Sequence, residues 1–256
     1  MVSVSVIGCG NMGGAFVRGL ADTNYEVTAI DLDPNALSAV AEHATETTTD
    51  VDAARDADVV VIAVKPDIVP AVLSDLSLRP DQTLVTLAAG VSRGYVADRT
   101  DASVVRVMPN LAAATGDMAA AVTNEGVTDE VREILDALGE YVEVDESRMD
   151  VATAVNGSGP AFAFYLIDAV KQAGIDGGLE PEQAEVLAAQ TFKGAAETVL
   201  RDDRSVDELI DAVCSPNGTT IEGMEVLWDS DADDAVTAAV TAAEERSREL
   251  SEGFDD

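Results

Sequence analysis

A doubly wound α/β domain followed by an all-α domain is the fold class this sequence predicts, and three observations carry the prediction. Short Val- and Ile-rich runs alternate with helix-like stretches over residues 1–145. The first turn from such a run into a helix holds three spaced glycines, and after about residue 145 the strand-like runs stop while helical patterns continue to 251. Parallel strands buried on both faces read as unbroken apolar runs, so these segments point to a sheet covered by helices on each side.

The strand candidates are 2–7, 26–30, 59–64, 83–88, 103–107 and 119–122. Helical stretches at 11–21, 34–42, 50–56, 67–76 and 128–138 lie between them, which is the alternation of a parallel sheet with crossover helices. Domain one is therefore expected at 1–145 and domain two at 146–256. The second should hold helices at 146–156, 160–173, 181–200, 206–213, 219–228 and 232–251, punctuated by Gly, Pro and Asp. Its run PAFAFYLIDAV is apolar on nearly every face, and a helix apolar all round must be buried all round. The short helices of 146–256 cannot bury it alone, so a second subunit is expected to complete this core.

Composition narrows the class. Apolar residues make up 47% of the 256, enough for packed cores, yet 49 acids face 15 cations for a net charge of -34. The only lysines are Lys65, Lys171 and Lys193. At low salt this charge repels itself, whereas at ~1 M salt the screening length is only ~3 Å and the same surface becomes tolerable. The composition is that of a cytoplasmic protein of a salt-accumulating, halophilic microbe. Nothing basic is clustered, which argues against nucleic acid and anionic membranes as partners. Cys9 and Cys214 are too few for a disulfide framework and are expected to stay unpaired in a reducing compartment. The opening MVSVSVIGCG lacks a basic n-region, and runs such as VVVIAV are too short to span a bilayer. No metal-ligand pattern stands out.

The strongest local signal is VIGCGNMGG, where Gly8, Gly10 and Gly13 form G-x-G-x-x-G between a strand and a helix. The first permits a tight turn, the second lets a pyrophosphate approach the backbone, and the third lets helix and strand pack closely, with phosphates received by the helix N-terminus. The alternative is a tight turn with no ligand. Asp31 closes the next strand, as a ribose-binding acid does in the Rossmann fold, and would repel a 2′-phosphate; no Arg lies in DLDPN. NADH is therefore favoured over NADPH. Asp33 either joins that site or merely caps the helix opening at Pro34.

Further motifs sit at strand ends, where ligands bind in such sheets. These are AVKP with Lys65, AAG at 88–90, and RVMPN, whose Asn110 offers both donor and acceptor. In the helical half, NGSGPAF reads either as a helix kink or as a helix N-terminus facing a ligand. CSPNGTTIEG (214–223) holds a Pro-Asn-Gly turn, and Thr219 with Glu222 is expected to form a capping box, which leaves Thr220 unemployed. Its backbone amides suit a carboxylate.

Taken together and in order, GCGNMG, AVKP, AAGV, RVMPN, GSGPAF and CSPNGTT resemble the pyrroline-5-carboxylate reductase family over almost the whole chain. The resemblance implies reduction of the C=N bond of 1-pyrroline-5-carboxylate by NADH or NADPH to give L-proline. It implies that Gly8, Cys9, Gly10, Asn11, Met12, Gly13 and Lys65 hold the cofactor, with Ala63 and Ala89 lining the same cleft, to which the strand-end reading adds Asn110, Asp31 and Asp33. Ser215, Gly218, Thr219 and Thr220 would hold the substrate carboxylate, Thr220 would bond the ring nitrogen, and Asp203 would border the pocket. It also implies homodimers through the helical domain, with five dimers forming decamers. Asn217 stands where the family has Gly, MPNLA replaces M-P-N-T-P, and Asp203 stands where the family has Glu. The iminium arrives protonated, so no strong acid is needed and His43 is expected to be a bystander. Two alternatives are a hydroxyacid dehydrogenase of similar architecture and a non-catalytic nucleotide-sensing protein. The first carries a Lys with Asn four residues on, whereas Lys171 and Lys193 precede Ile175 and Glu197 at that spacing.

Overall fold

The structure is a computed structural model that describes residues 2–254. It comprises two compact units, Met1–Ser158 with Val240–Asp256, and Gly159–Ala239. The first unit is built on an eight-stranded sheet: β1 (Ser3–Ile7), β2 (Glu26–Ile30), β3 (Glu46–Thr48), β4 (Val59–Ile62), β5 (Thr83–Thr86), β6 (Ser103–Pro109), β7 (Met118–Thr123) and β8 (Gly139–Val144). Their order is β3-β2-β1-β4-β5-β6-β7-β8. Its helices are α1 (Asn11–Leu20), α2 (Pro34–Ser38), α3 (Val69–Asp75), α4 (Arg93–Ala97), α5 (Asp129–Leu138) and α6 (Met149–Ala152).

The apolar strand runs fill both faces. Val4, Val6, Val59, Val61, Val85 and Val105 cluster with Phe16 and Leu20 of α1 and with Ile134, Leu135 and Leu138 of α5. Their alternates Ile7, Val60, Ile62, Leu84 and Val104 cluster instead with Val69 and Leu73 of α3 and Val96 of α4. Successive side chains of a strand point to opposite faces, so an unbroken Val/Ile run supplies two cores at once. The register is pinned at the strand starts. Asp58, just before β4, accepts the Ser3 N–H and hydroxyl at 2.8 Å each, and these bonds hold its carboxyl below the usual range.

Several expected elements differ. The sheet is not wholly parallel: β7 runs antiparallel to β6, and β8 parallel to β7. Residues 110–117 are too few for a crossover, so the chain must turn back on itself. β3, β8 and α4 were not expected. β3 is a three-residue Thr-rich edge strand, and β8 (GEYVEV) alternates on a half-exposed edge, so neither carries an apolar run. The stretch 51–56 is a 3-10 helix, and 146–157 divides into a 3-10 turn, α6 and a π-helical turn at Thr153–Gly157. By contacts, the first compact unit runs on to Ser158 and takes back the chain from Val240. Met149 is fully buried with Met108 and Ala121, and Ser247 bonds Asp150 at 2.7 Å, so residues 146–158 and 240–254 belong with the sheet.

The second unit contains α7 (Gly159–Asp176), α8 (Pro181–Arg201), α9 (Val206–Val213), α10 (Thr219–Trp228) and the start of α11 (Ala232–Glu252), which ends in the first unit. Capping boxes open α8 (Glu180 with Gln183) and α9 (Ser205 with Glu208). α7 and α8 pack closely where Gly174 meets Ala184 and Leu179. Among the described residues of this unit only Ala184 and Ala188 are buried, while Phe164 and Tyr165 of α7 are 69% and 77% exposed. No described helix is long and apolar enough to cross a membrane.

Phe16 is 1% exposed at the centre of the first core. Phe16→Ala should lower unfolding free energy by about 3–5 kcal/mol, read by denaturant titration followed by circular dichroism.

Candidate functional site

The turn from β1 into α1 is shaped by its glycines. Gly8 has φ +94 and a Cβ there would lie 2.8 Å from Val64 Cγ1, so only glycine fits. A Cβ at Gly13 would collide with the Gly8 carbonyl oxygen and lie 2.9 Å from Ala63 Cβ, which shows how closely α1 approaches β4. Gly10, at the N-cap, has nothing within 4 Å of its missing Cβ, so the backbone is open to a ligand there. The first amides of α1, from Asn11 to Gly13, have no intrahelical acceptor, and no acid occupies that turn despite the acidic composition. The Gly loop is thus suited to an anion such as a pyrophosphate.

Asp31 fixes the loop from across the cleft. Its carboxylate accepts the Cys9 N–H at 2.6 Å through one oxygen and the Asp33 N–H at 2.8 Å through the other. Cys9 itself is buried behind the loop, and burial, reinforced by the Asp31 charge, pushes its thiol up to about 11. Asp33 accepts the Asn35 N–H at 2.9 Å as the N-cap of α2, so the capping alternative describes its contacts. Both cysteines are free thiols.

A cleft of about 430 Å³ opens at these strand ends. Of the expected cofactor residues it brings together Gly8, Gly10, Asp31, Ala63 and Lys65. Lys65, at the start of the 3-10 turn Pro66–Ile68, is among its lining residues, while Leu32, Val51, Ile68 and Val72 supply apolar surface. Those four, with Thr49 and Asp75, were not singled out in the sequence. Leu32 alone carried a signal, being an apolar residue between two acids, and it is 85% exposed. Cys9, Asn11, Met12 and Gly13 belong to the Gly loop and Asp33 caps α2, and none of the five is among the residues lining the cleft. The side-chain oxygen of Asn110 accepts the Ala112 N–H at 3.1 Å and caps a 3-10 turn. Ala89 packs beside Met108, Ala121 and Met149.

In the second unit, Ser215 to Gly218 form a turn closed by the Gly218 N–H donating to the Ser215 carbonyl at 2.9 Å. Asn217, at φ 58, is the one non-glycine residue with positive φ among those described, in keeping with Pro at the second turn position and a left-handed residue at the third. The expected Thr219–Glu222 capping box is absent. α10 begins at Thr219 itself, so the extended Gly218 stands at the N-cap and no side chain bonds the first turn. The opening amides of α10 are therefore left for another acceptor. Thr220 is half-buried one residue into the helix. Asp203 is exposed in the bend between α8 and α9, next to Asp202, whose carboxyl is held at about 2 by its hydrogen bonds with Arg204.

Comparison with known proteins matches both regions. Residues 146–250 fit the family described as pyrroline-5-carboxylate reductase dimerisation, and residues 3–90 fit the one described as NADP oxidoreductase coenzyme F420-dependent. The pyrroline-5-carboxylate reductase of Methanosarcina acetivorans is 36% identical over 262 residues, covering 96% of this chain and 97% of that protein. That of Escherichia coli is 35% identical and covers 97% and 98%. Among solved structures, the Coxiella burnetii enzyme superposes with TM-score 0.86 at 32% identity, covering 97% and 98%. The Plasmodium falciparum enzyme with NADP bound gives 0.82 at 28%, covering 98% of both chains. A 3-hydroxyisobutyrate dehydrogenase of Mycobacterium tuberculosis, at 19% identity and 0.53, shares the fold alone. With relatives above one-third identity along nearly its full length, this chain belongs to the pyrroline-5-carboxylate reductase family.

Proposed function

We propose a division of labour between the two units of a reductase. The chain is an NAD(P)H-dependent oxidoreductase that reduces 1-pyrroline-5-carboxylate to L-proline. The observation that carries the residue roles is a pair of helix N-termini without side-chain caps, α1 and α10, each opened by a glycine-containing turn. The first suits a pyrophosphate and the second the substrate carboxylate. When bound, the dihydronicotinamide supplies a hydride to the imine carbon. The electron pair of the C=N bond then settles on a ring nitrogen that already carries its proton. The chain's task is therefore positioning: Thr220 bonds that nitrogen, and Ser215, Gly218 and Thr219 hold the carboxylate. Asp203 borders the substrate.

For the coenzyme, Asp31 favours NADH. Its oxygens are fixed by two amides, it is ready to accept from a ribose hydroxyl, and Asp75 adds a second carboxylate to the cleft against the single cation Lys65. A 2′-phosphate would meet like charge there. The exposed apolar surface of α7 and the near absence of buried residues in the second unit support a homodimer through the helices, with decamers of five dimers as the larger assembly. Two unpaired cysteines and the charge of -34 support a cytoplasmic, halophilic setting.

Loss of reduced-nicotinamide absorbance with pyrroline-5-carboxylate in molar KCl tests the reaction, and no turnover by folded, coenzyme-binding protein would sink it. Thr220→Val should lower kcat/KM about 10- to 100-fold, the worth of a ~1.5–3 kcal/mol hydrogen bond to a charged group, with coenzyme affinity unchanged. NADH should outperform NADPH, and Asp31→Ser should shift the ratio of kcat/KM values toward NADPH by roughly tenfold or more. Unfolding temperature should rise steadily as KCl goes from ~0.1 M to ~1 M, because the screening length falls from ~10 to ~3 Å; a flat profile would contradict the halophilic reading.

A further inference from the structure

The chain passes from the first unit to the second through residues 146–158 and returns through 240–254, and both passages dock on the same turn, residues 88–95. Ala89 packs on the cluster containing Met149. Gly90 has φ +75, and a Cβ there would stand 3.0 Å from the backbone and Cβ of Leu250, so the returning helix rests on a bare glycine. The Arg93 N–H donates to Glu146 Oε1 at 3.1 Å, and the same oxygen takes Arg106 Nη1 at 2.7 Å. Tyr95 meets Phe254 edge to face, with centroids 5.7 Å apart, and the Arg99 guanidinium lies 3.6 Å from the Tyr95 centroid on the cation-π contact. Ser247 and Ser251 donate to Asp150 Oδ1 at 2.7 and 3.3 Å, which ties the two passages to each other.

This turn leaves the end of β5, next to the end of β4, where the Leu87 N–H donates to the Ile62 carbonyl at 2.9 Å. With Asp31 at the end of β2, the adenosine half of a bound dinucleotide would lie on that side of β1. In such sheets a dinucleotide lies across the point where strand order reverses, so its nicotinamide half would extend toward β4 and β5. None of residues 88–95 lines the cleft that holds Asp31 and Lys65. A displaced turn would therefore disturb the reacting end and spare the adenosine end.

We propose that the 88–95 turn is the positioning element of hydride transfer and that Glu146 and Phe254, which clamp it from the two passages, are positioning residues for turnover. The inference rests on the reductase reading above. Glu146 is also the partner of an almost fully buried Arg106 whose Nε and Nη2 have none among the described residues, so truncating Glu146 would strand that cation, and Glu146→Gln is the appropriate variant.

The test compares the full-length wild type with Phe254→Ala, Phe254→Tyr and Glu146→Gln. It reads kcat and KM with pyrroline-5-carboxylate, NADH affinity by fluorescence, and unfolding temperature. A misplacement near 1 Å can cost ~100-fold, so kcat should fall about 10- to 100-fold in Phe254→Ala and Glu146→Gln. NADH affinity should stay within about twofold, and Phe254→Tyr, which keeps the ring, should restore kcat. A lowered unfolding temperature with unchanged kcat, or weakened NADH binding with unchanged kcat, would overturn the proposal and leave the reductase reading intact. Failure of Phe254→Ala to fold, with Glu146→Gln folded and fully active, would overturn it as well. A wild type that binds NADH without reducing the imine would remove both.

Discussion

The carboxylate of Asp31 is the hinge-pin of the nucleotide-binding half. By accepting the Cys9 amide at 2.6 Å and the Asp33 amide at 2.8 Å, it joins the Gly loop after β1 to the turn after β2. Two amide donors on one carboxylate are strong, charge-assisted bonds, and they hold both loops at the mouth of the cleft. The approach of α1 to Ala63 at Gly13 and the open backbone at Gly10 both lie on the loop that these bonds hold. The cleft is accordingly a property of the sheet edge as a whole: Asp31 from β2, Gly8 and Gly10 from β1, and Ala63 and Lys65 from β4 converge on it.

The second unit follows a different logic. Its helices are capped well, yet almost nothing in them is buried, and its large apolar residues lie on the outside. Hydrophobic burial is the dominant favourable term in folding, so helices of this kind acquire stability from what covers them. An acidic surface adds self-repulsion to that requirement. The composition and the exposed α7 thus set two physical requirements, a screened surface and a cover for an apolar face.

The legible parts of the sequence were those with local causes. The Val/Ile runs became β1, β2, β4, β5, β6 and β7 because burial on both faces demands apolar residues throughout. α9 and α10 begin and end at their expected residues, since Ser205 with Glu208 and the Pro-Asn-Gly turn are short-range signals. β3 and β8 were hidden because edge strands need no unbroken apolar run, and the predicted box at Thr219 failed because the helix begins one residue earlier than a Thr cap requires. Asn110, expected among the cofactor residues, also caps a 3-10 turn through its side-chain oxygen, a role set by which backbone amides lie near it.

By itself the sequence determined the class of fold, the Gly loop with Asp31 after the next strand, the Pro-Asn-Gly turn and the family, since each depends on residues close in sequence or on an ordered set of short motifs. Tertiary structure alone decided the reversal of β7 and β8, the apolar residues completing the cleft, and the return of residues 240–254 to the first unit. The last of these arises from contacts such as Ser247 with Asp150 and Leu250 with Gly90, between residues about a hundred or more positions apart, where periodicity carries no information and only packing selects the partner.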